Sequence, residues 1–566
     1  MGGNGQLDPA RRSPFGQLIV VRFVLFFAAF AASLCAQIDI AQLYADGQYD
    51  AVVAATDNNS QDPDTLFLRG MSLARLERWN EAEQTLRQGQ SLAPRDPRFP
   101  TELAGVAYRL EDYSRARSLL RRALDLAPDD EYARNFLGSL YLLDSNLDAA
   151  LAQWNRIDQP RLSSVEMPAG LHTNAVLLDR ALTFAPATTL QLSELRTSRA
   201  RLNLLDAFSS YDFDLVPATP DDGYKLRLRG SERRGLFSSP WFSLARSARG
   251  LPYRTVFLEH DNGGGNTASL HAIARWDPYR RRAHLVYSRP LAGEARYRWH
   301  AFGDAREETW DLTRRIADFQ NFRLHKIEAG AGFDSVVNGS FRWGAEAAAV
   351  VRSFRGEGTD NVRMPDAAGA RTHVTFNWTP LYLPARRMSI TTETRVGLGS
   401  FGGDGGARYG RAETAVQLRL SSGKNWNFHT RLSAGVLPGT APFDELYILG
   451  VERDNELVFR GIRNDQDGRK GSAPVGDRYW LSSTDLTHRV ARFSLAEIHA
   501  GPFFDAGAVR DSLGQFGDPS TQFAAGVQLE LRVLGAFGIR LLYGRDLRTG
   551  RDIFFGSPYP DRDLLR

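Results

Sequence analysis

Arg460 is followed at once by Gly461, and carboxylates stand further along at Asp485 and, within Phe503-Phe504-Asp505-Ala506-Gly507, at Asp505. The chemistry open to this set is recognition, not bond breaking. A planar guanidinium gripped bidentately by fixed carboxylates in a partly enclosed place is directional, and worth more than a solvated ion pair. Gly461 beside it allows a tight reversal with no Cβ in the way. Taken alone, an Arg-Gly pair is an ordinary surface turn; the combination with Asp485, Phe503, Asp505 and Gly507 is what singles it out. Groups for covalent or metal chemistry are missing. There is no Gly-x-Ser-x-Gly elbow, phosphate-binding loop or dinucleotide fingerprint, and the 10 histidines lack metal-ligand spacing. The single cysteine, Cys35, excludes internal disulfides and any cysteine-rich metal site. His260-Asp261 reads as a solvated pair in a loop. No catalytic residue, cofactor or metal is therefore expected, and the chain is not read as an enzyme.

The elements that must position these residues divide a chain of 566 residues, too long for one core. Hydrophobic content is 43% and charged content 24%, so no helical membrane bundle is hidden here. The formal net charge is only +4, without a basic face interleaved with aromatics, so nucleic acid is not an expected partner. After Arg11, Arg12 and Arg22, an apolar run from Phe23 to Leu34 is too short to span a bilayer and fits the core of an export signal over 1–36. Cleavage is expected near Cys35 or Ala36, and lipidation of Cys35 is the alternative, disfavoured by bulky Leu34.

Residues 37–160 repeat. Pro94 and Pro128 are 34 apart, and the same offset relates Gly70, Ala104 and Gly138, Ala82, Ala116 and Ala150, and Leu86, Leu120 and Trp154. The pattern resembles tetratricopeptide helical pairs, whose small residues allow close packing; an earlier degenerate unit around Leu43, Tyr44, Ala51 and Pro63 would cap the stack. In 161–235 the pattern changes. A strand-like piece from Ala175 to Phe184 precedes a helical stretch with Leu192, Leu195, Leu202 and Leu205. Two alternating strands around Tyr211 to Leu215 and Tyr224 to Leu228 follow, joined at Asp222-Gly223. This order, with Ser198, Arg201, Phe208, Glu232 and Arg233, resembles a single polypeptide-transport-associated (POTRA) domain of α+β class.

From 236 to 566 the chain reads as repeated strands. Met388 to Leu398, Ala412 to Leu420, Trp426 to Ala434 and Phe523 to Val533 each alternate apolar with charged or polar residues. Alternation alone does not say which face meets solvent. Repeated strands behind an export signal favour lipid outside and water inside. Trp276, Trp310, Trp343, Trp378, Trp426 and Trp480 near strand ends suit an interfacial girdle. The final strands are expected at Phe537 to Asp546 and a short Arg551 to Phe555, with Gly556 to Arg566 leaving the barrel and Phe554 or Phe555 serving as the terminal aromatic.

Glu445-Leu446-Tyr447-Ile448-Leu449-Gly450, Val458-Phe459-Arg460-Gly461-Ile462, Ser483-Thr484-Asp485-Leu486 and Phe503 to Gly507, in that order, resemble the polypeptide-transporting outer-membrane barrel superfamily. This bacterial surface antigen type includes the barrel-assembly proteins and the two-partner secretion transporters. The resemblance implies a multidomain chain: a helical solenoid, a POTRA-like α+β domain, and a C-terminal transmembrane antiparallel β-barrel of 16 strands. It also implies that a long loop folds into the lumen, where Arg460 meets Asp485 and Asp505 as a structural lock. Ile462 departs from the aromatic usual after the glycine. The implied function is insertion or translocation of unfolded or nascent client polypeptides at the bacterial outer membrane. The N-terminal domains would lie in the periplasm, with the repeats open to periplasmic or lipoprotein partners and outer-membrane lipid around the barrel. The alternative is a polysaccharide exporter or a surface-lipoprotein translocating barrel carrying the same repeats.

Overall fold

The computed structural model describes residues 39–559, apart from 58, 219–222, 234–246, 249, 252–253, 314–320, 357–361, 404–405, 424, 453–456, 495, 515, 517 and 534–536. The expected export signal with Cys35, Asp222 of the expected hairpin turn, and residues 560–566 lie outside the described ones. The chain divides into two compact units, 1–140 and 141–566.

The first unit is built of helix pairs: α1 (Ile40–Ala45), α2 (Tyr49–Ala55), α3 (Pro63–Arg75), α4 (Trp79–Leu92), α5 (Arg98–Arg109), α6 (Tyr113–Leu126) and the start of α7 (Glu131–Leu143). Local chemistry sets the boundaries. Asp62 caps α3 by accepting from the Thr65 N–H at 3.0 Å, with Pro63 in the first turn, where its missing donor costs nothing. The pairs lie close because the 34-residue column is small: a Cβ on Gly70 would stand 2.6 Å from Leu86 Cγ. Ala82, Leu86, Phe99 and Leu103 form the buried seam.

The second unit opens with α8 (Leu147–Trp154) and a three-stranded sheet. Its central strand β3 (Tyr224–Glu232) pairs parallel with β1 (Leu162–Glu166) and antiparallel with β2 (Phe208–Pro217). Helices α9 (Ala175–Ala181) and α10 (Leu192–Leu205) accompany it, with Leu195, Leu202, Phe213 and Leu226 buried. The expected strand from Ala175 is thus a helix. Asn174 caps it through the Val176 N–H at 2.9 Å, and its short apolar run has no clear period. Strand β1 is an element that sequence reading missed.

The remainder is a closed antiparallel barrel. Its strands are β4 (Thr255–Gly263), β5 (Ala268–Asp277), β6 (Arg280–Pro290), β7 (Tyr297–Trp310), β8 (Phe322–Asn338), β9 (Phe341–Gly356), β10 (Ala367–Leu383), β11 (Met388–Gly402), β12 (Arg408–Ser422), β13 (Trp426–Val436), β18 (Arg478–Arg492), β19 (Ala496–Arg510), β20 (Asp518–Val533), β21 (Phe537–Asp546) and β22 (Asp552–Tyr559). The two-residue pieces β14 (Tyr447–Ile448), β15 (Asp465–Gln466), β16 (Arg469–Lys470) and β17 (Val475–Gly476) lie between β13 and β18. Fifteen long strands are described where the resemblance implies 16; residues 234–246, at the start of the expected barrel, are outside the described ones. The last strand is longer than expected: β22 keeps register with β21 through Gly556, Ser557 and Pro558, opposite Leu541, Arg540 and Ile539.

The barrel partitions its side chains opposite to a soluble sheet. Leu398 is 69% exposed, Ile327 63% and Phe554 66%, all outside, while Arg352 is 2% and Asp505 0% exposed. A contiguous apolar exterior around a charged, filled interior is the arrangement a bilayer requires. Trp276, Trp378, Trp426 and Trp480 are on that exterior, but Trp310 is buried in the lumen, 4.9 Å from Phe443 between ring centroids. It shares the inward parity of Asp304 and Glu308 on β7. His260-Asp261 is also corrected: both lie in β4, and Asp261, 1% exposed, bonds His271 Nε2 at 2.7 Å.

The small α+β part is seated on successive turns of the barrel. Asn174 N–H donates to Gly265 O at 2.7 Å on the β4–β5 turn, and Arg180 Nη1 to Gly293 O at 2.9 Å after β6. Thr197 Oγ1 accepts from Gly339 N–H at 2.9 Å between β8 and β9. Asn146 donates to Pro384 O at 2.9 Å between β10 and β11.

Candidate lumen-loop site

Residues 437–452 and 457–477, between β13 and β18, fold into the barrel and supply much of its apolar filling: Phe443, Tyr447, Leu449, Leu457, Phe459 and Val475 are buried against Trp310, Phe322, Tyr479 and Ala524 of the wall. Ile462, in place of an aromatic, packs partly buried against this cluster.

At the tip, the expected residues come together. The Arg460 backbone N–H and Nε donate to Asp505 Oδ2 at 2.8 and 2.9 Å, and Nη2 donates to Oδ1 at 2.6 Å. Nη1 bonds Asp485, which also accepts from Gln528 Nε2 at 3.1 Å. Ser483 pairs with Asp505 and Asp485 with Phe503 in the β18–β19 register, so all point to the lumen. The Phe503 ring lies under the guanidinium, 3.9 Å from Cζ. Glycines make the space. A Cβ on Gly461 would stand 2.5 Å from Ala524 Cβ, and one on Gly526 would stand 2.6 Å from Phe503 Cζ. Gly507 is also confined: a Cβ there would lie 2.9 Å from Trp480 O. A buried guanidinium with every edge engaged suits a fixed clasp.

Sequence reading missed the other holds of the same loop. Asp444 accepts from Lys326 Nζ at 3.0 Å and Arg352 Nη1 at 2.7 Å, and Glu445 from Lys326 and Arg352, both at 3.1 Å. Arg411 Nη2 donates to the Glu445 carbonyl at 2.9 Å. Glu452 bonds Arg280 of β6 and accepts from Asn464 at 2.8 Å. Lys470 Nζ donates to Glu308 of β7 at 2.7 Å, and Arg363 Nη2 to Asp477 at 2.9 Å. Inward parity of charged residues was the available signal; it gives polarity but not partners.

No family model matches the chain. It is 25% identical over 406 residues to the outer membrane protein assembly factor BamA of Nitratidesulfovibrio vulgaris, covering 67% of this chain and 47% of that protein. The chain thus spans about half the length of the curated relative it matches. Among solved structures it is similar to BamA from Haemophilus ducreyi lacking POTRA domains 1-3, at 14% identity and a TM-score of 0.41, over 70% of this chain and 84% of that one. CdiB from Acinetobacter baumannii is similar at 13% identity and a TM-score of 0.43, covering 70% and 74%. CdiB from Escherichia coli is similar at 11% and 0.47, covering 71% and 75%. The resemblance to the polypeptide-transporting outer-membrane barrel superfamily therefore rests on a sequence relative as well as on the motif.

Proposed function

We propose that this is a non-enzymatic outer-membrane protein that inserts or translocates client polypeptides. The observation that carries the reading is the buried Arg460 clasp inside a barrel whose exterior is apolar. In this reading 1–36 is an export signal, 37–160 a tetratricopeptide-like solenoid, 161–235 a POTRA-like domain, and 236–566 a barrel of 16 strands. Arg460, Gly461, Asp485, Phe503, Asp505 and Gly507 lock the lumen loop.

The edge strands of the α+β sheet would receive an extended client by main-chain pairing, and the solenoid would recruit clients or periplasmic partners. The junction of the barrel's first and last strands would be its weakest seam. Depletion followed by proteomics of the outer membrane and the secreted fraction tests this. Selective loss of proteins is expected; loss of a surface glycan with an unchanged proteome would instead mark a polysaccharide exporter.

A further inference from the structure

The outer face of the barrel carries arginines at the end away from the α+β seat. Parity sets their direction: Phe322, Leu324, Phe354, Tyr479 and Val509 are buried in the lumen, so Arg323, Arg355, Arg478 and Arg510 point outward. Most such arginines have an acid close by. Arg545 of β21 faces Asp552 of β22 in register, with 3.6 Å between Nη1 and Oδ1. Arg323 reaches Glu307 at 3.2 Å, and Arg355 bonds Asp366.

The pair on β18 and β19 is different. Arg478 and Arg510 stand directly opposite each other, and residues so placed have Cβ atoms about 5 Å apart, where like charges repel. The acids that adjoin them in sequence are engaged elsewhere. Asp477 and Asp511 both turn inward to Arg363, at 2.9 and 2.7 Å, and Asp477 also accepts from the Ser512 N–H at 3.1 Å. Arg478 keeps one contact, Nε to Asp477 Oδ1 at 3.3 Å, and Arg510 has no ion pair among the described residues. Gly476 packs against the Arg510 carbonyl too closely for a Cβ, so this strand end is fixed.

We propose that Arg478 and Arg510 form a binding site for the phosphate of a membrane lipid on the outside of the barrel.

Position selects the source of the phosphate. Two residues nearer the middle of β18, about 7 Å along the strand, Trp480 faces outward, and Leu432, Phe504 and Phe523 continue the apolar surface. An indole ring at that point marks the level where headgroups meet acyl chains. A phosphate there is met by two guanidinium forks, each offering paired N–H donors to its oxygens. A dissolved phosphate would meet the same donors without acyl chains to lie against Trp480 and Leu432. Between the arginines, the anion turns repulsion into a bridge across β18 and β19, the strands that carry Asp485 and Asp505. Bound lipid therefore stabilises the wall that grips Arg460. The site asks only that the barrel be set in lipid, whichever cargo the lumen handles.

The test uses the full chain in detergent micelles, titrated with dioleoyl phosphatidic acid or with dioleoylglycerol, which has the same chains and no phosphate, and read by native mass spectrometry. Wild type is expected to bind phosphatidic acid at least about tenfold more tightly. Arg478→Gln/Arg510→Gln should lose that preference, and Arg545→Gln should keep it. Arg510→Glu places an acid opposite Arg478, as in the pair of Arg545 with Asp552. It should keep the heat-modifiable folded band and also lose the preference, which covers the case in which the Gln pair fails to fold. Equal binding of the two lipids by wild type, or a preference that survives in folded Arg510→Glu, overturns the site. Inorganic phosphate at the same molar concentration should leave bound phosphatidic acid in place; displacement would mark a site for free anions and overturn the lipid assignment.

Discussion

Phe503 lies beneath Arg460, its ring centre 3.9 Å from Cζ, two residues along β19 from Asp505, whose carboxylate grips the same guanidinium. The ring fills the gap that Gly526 leaves, so one aromatic both supports the cation and seals the wall. Phe503→Leu should keep the ion pairs but lose the cation–π contact, costing about 1–2 kcal/mol in a desolvated setting. A lower temperature for losing the heat-modifiable band in gel electrophoresis reads this out.

Arg460→Ala leaves the buried carboxylate of Asp505 and the part-buried one of Asp485 without their cation and should cost about 3–5 kcal/mol locally. The barrel is expected to form, with client levels reduced and the 437–477 loop newly open to protease. Arg460→Lys should recover little, since a point ammonium cannot reproduce the fork on Asp505. Normal growth and client levels in the alanine variant would refute the lock.

Gly544→Ala tests the niche. A Cβ there would collide with the Arg460 carbonyl and stand 3.1 Å from Phe503 Cζ. The variant should resemble Arg460→Ala in protease sensitivity although every charge is retained. Gly514→Ala is a control for alanine at a loop glycine: no atom lies within 4 Å of its Cβ, but its φ of +69° makes it a strained position on its own account.

Asp148 on α8 accepts from Arg199 Nη1 of α10 at 2.5 Å and from Tyr382 of β10, tying the helices to the barrel. Asp148→Asn should weaken that seat by about 1–3 kcal/mol and speed hydrogen exchange in α10 and the β10–β11 turn. Unchanged exchange would show the seat to be held elsewhere.

Acid should loosen the same seat at a second place. Burial pushes the Glu232 carboxyl up, but bonds from the Thr173 hydroxyl and the His172 and Thr173 N–H groups outweigh it and hold its pKa below the ordinary glutamate value. A depressed carboxylate contributes stability in full above its unfolded pKa, about 4.3, and loses it as pH falls through the folded value. Thr173 also accepts from Asn262 of β4 at 2.8 Å, so protonation loosens residues 172–173 from β3 and weakens the support behind that barrel contact. Exchange at these amides should rise below about pH 4, and Glu232→Gln should abolish the pH dependence.

Much of this was legible in residue order because Asp485 and Asp505, which hold Arg460 of the loop tip, stand in short segments on the neighbouring strands β18 and β19. The helical columns were readable for a related reason: Gly70, Ala104 and Gly138 answer to packing that repeats at a constant offset. Glu445 lay within the quoted motif, yet its partners Lys326 and Arg352 are set by barrel closure, which no local pattern encodes. Trp310 was misplaced through its type, although its parity with Glu308 already pointed inward. Gly556 and Pro558 looked like breakers by propensity, but pairing with β21 overrides it. Ala175 to Phe184 was too short for its period to separate helix from strand.

The α+β part rests on the turns from β4–β5 round to β10–β11, and this one-sided seat makes the mouth of the cylinder lopsided. The opposite arc, from β12 to β21, carries Asp485 of β18 and Asp505 of β19. The cationic arc of Lys326 on β8 and Arg352 on β9 lies on the seated side.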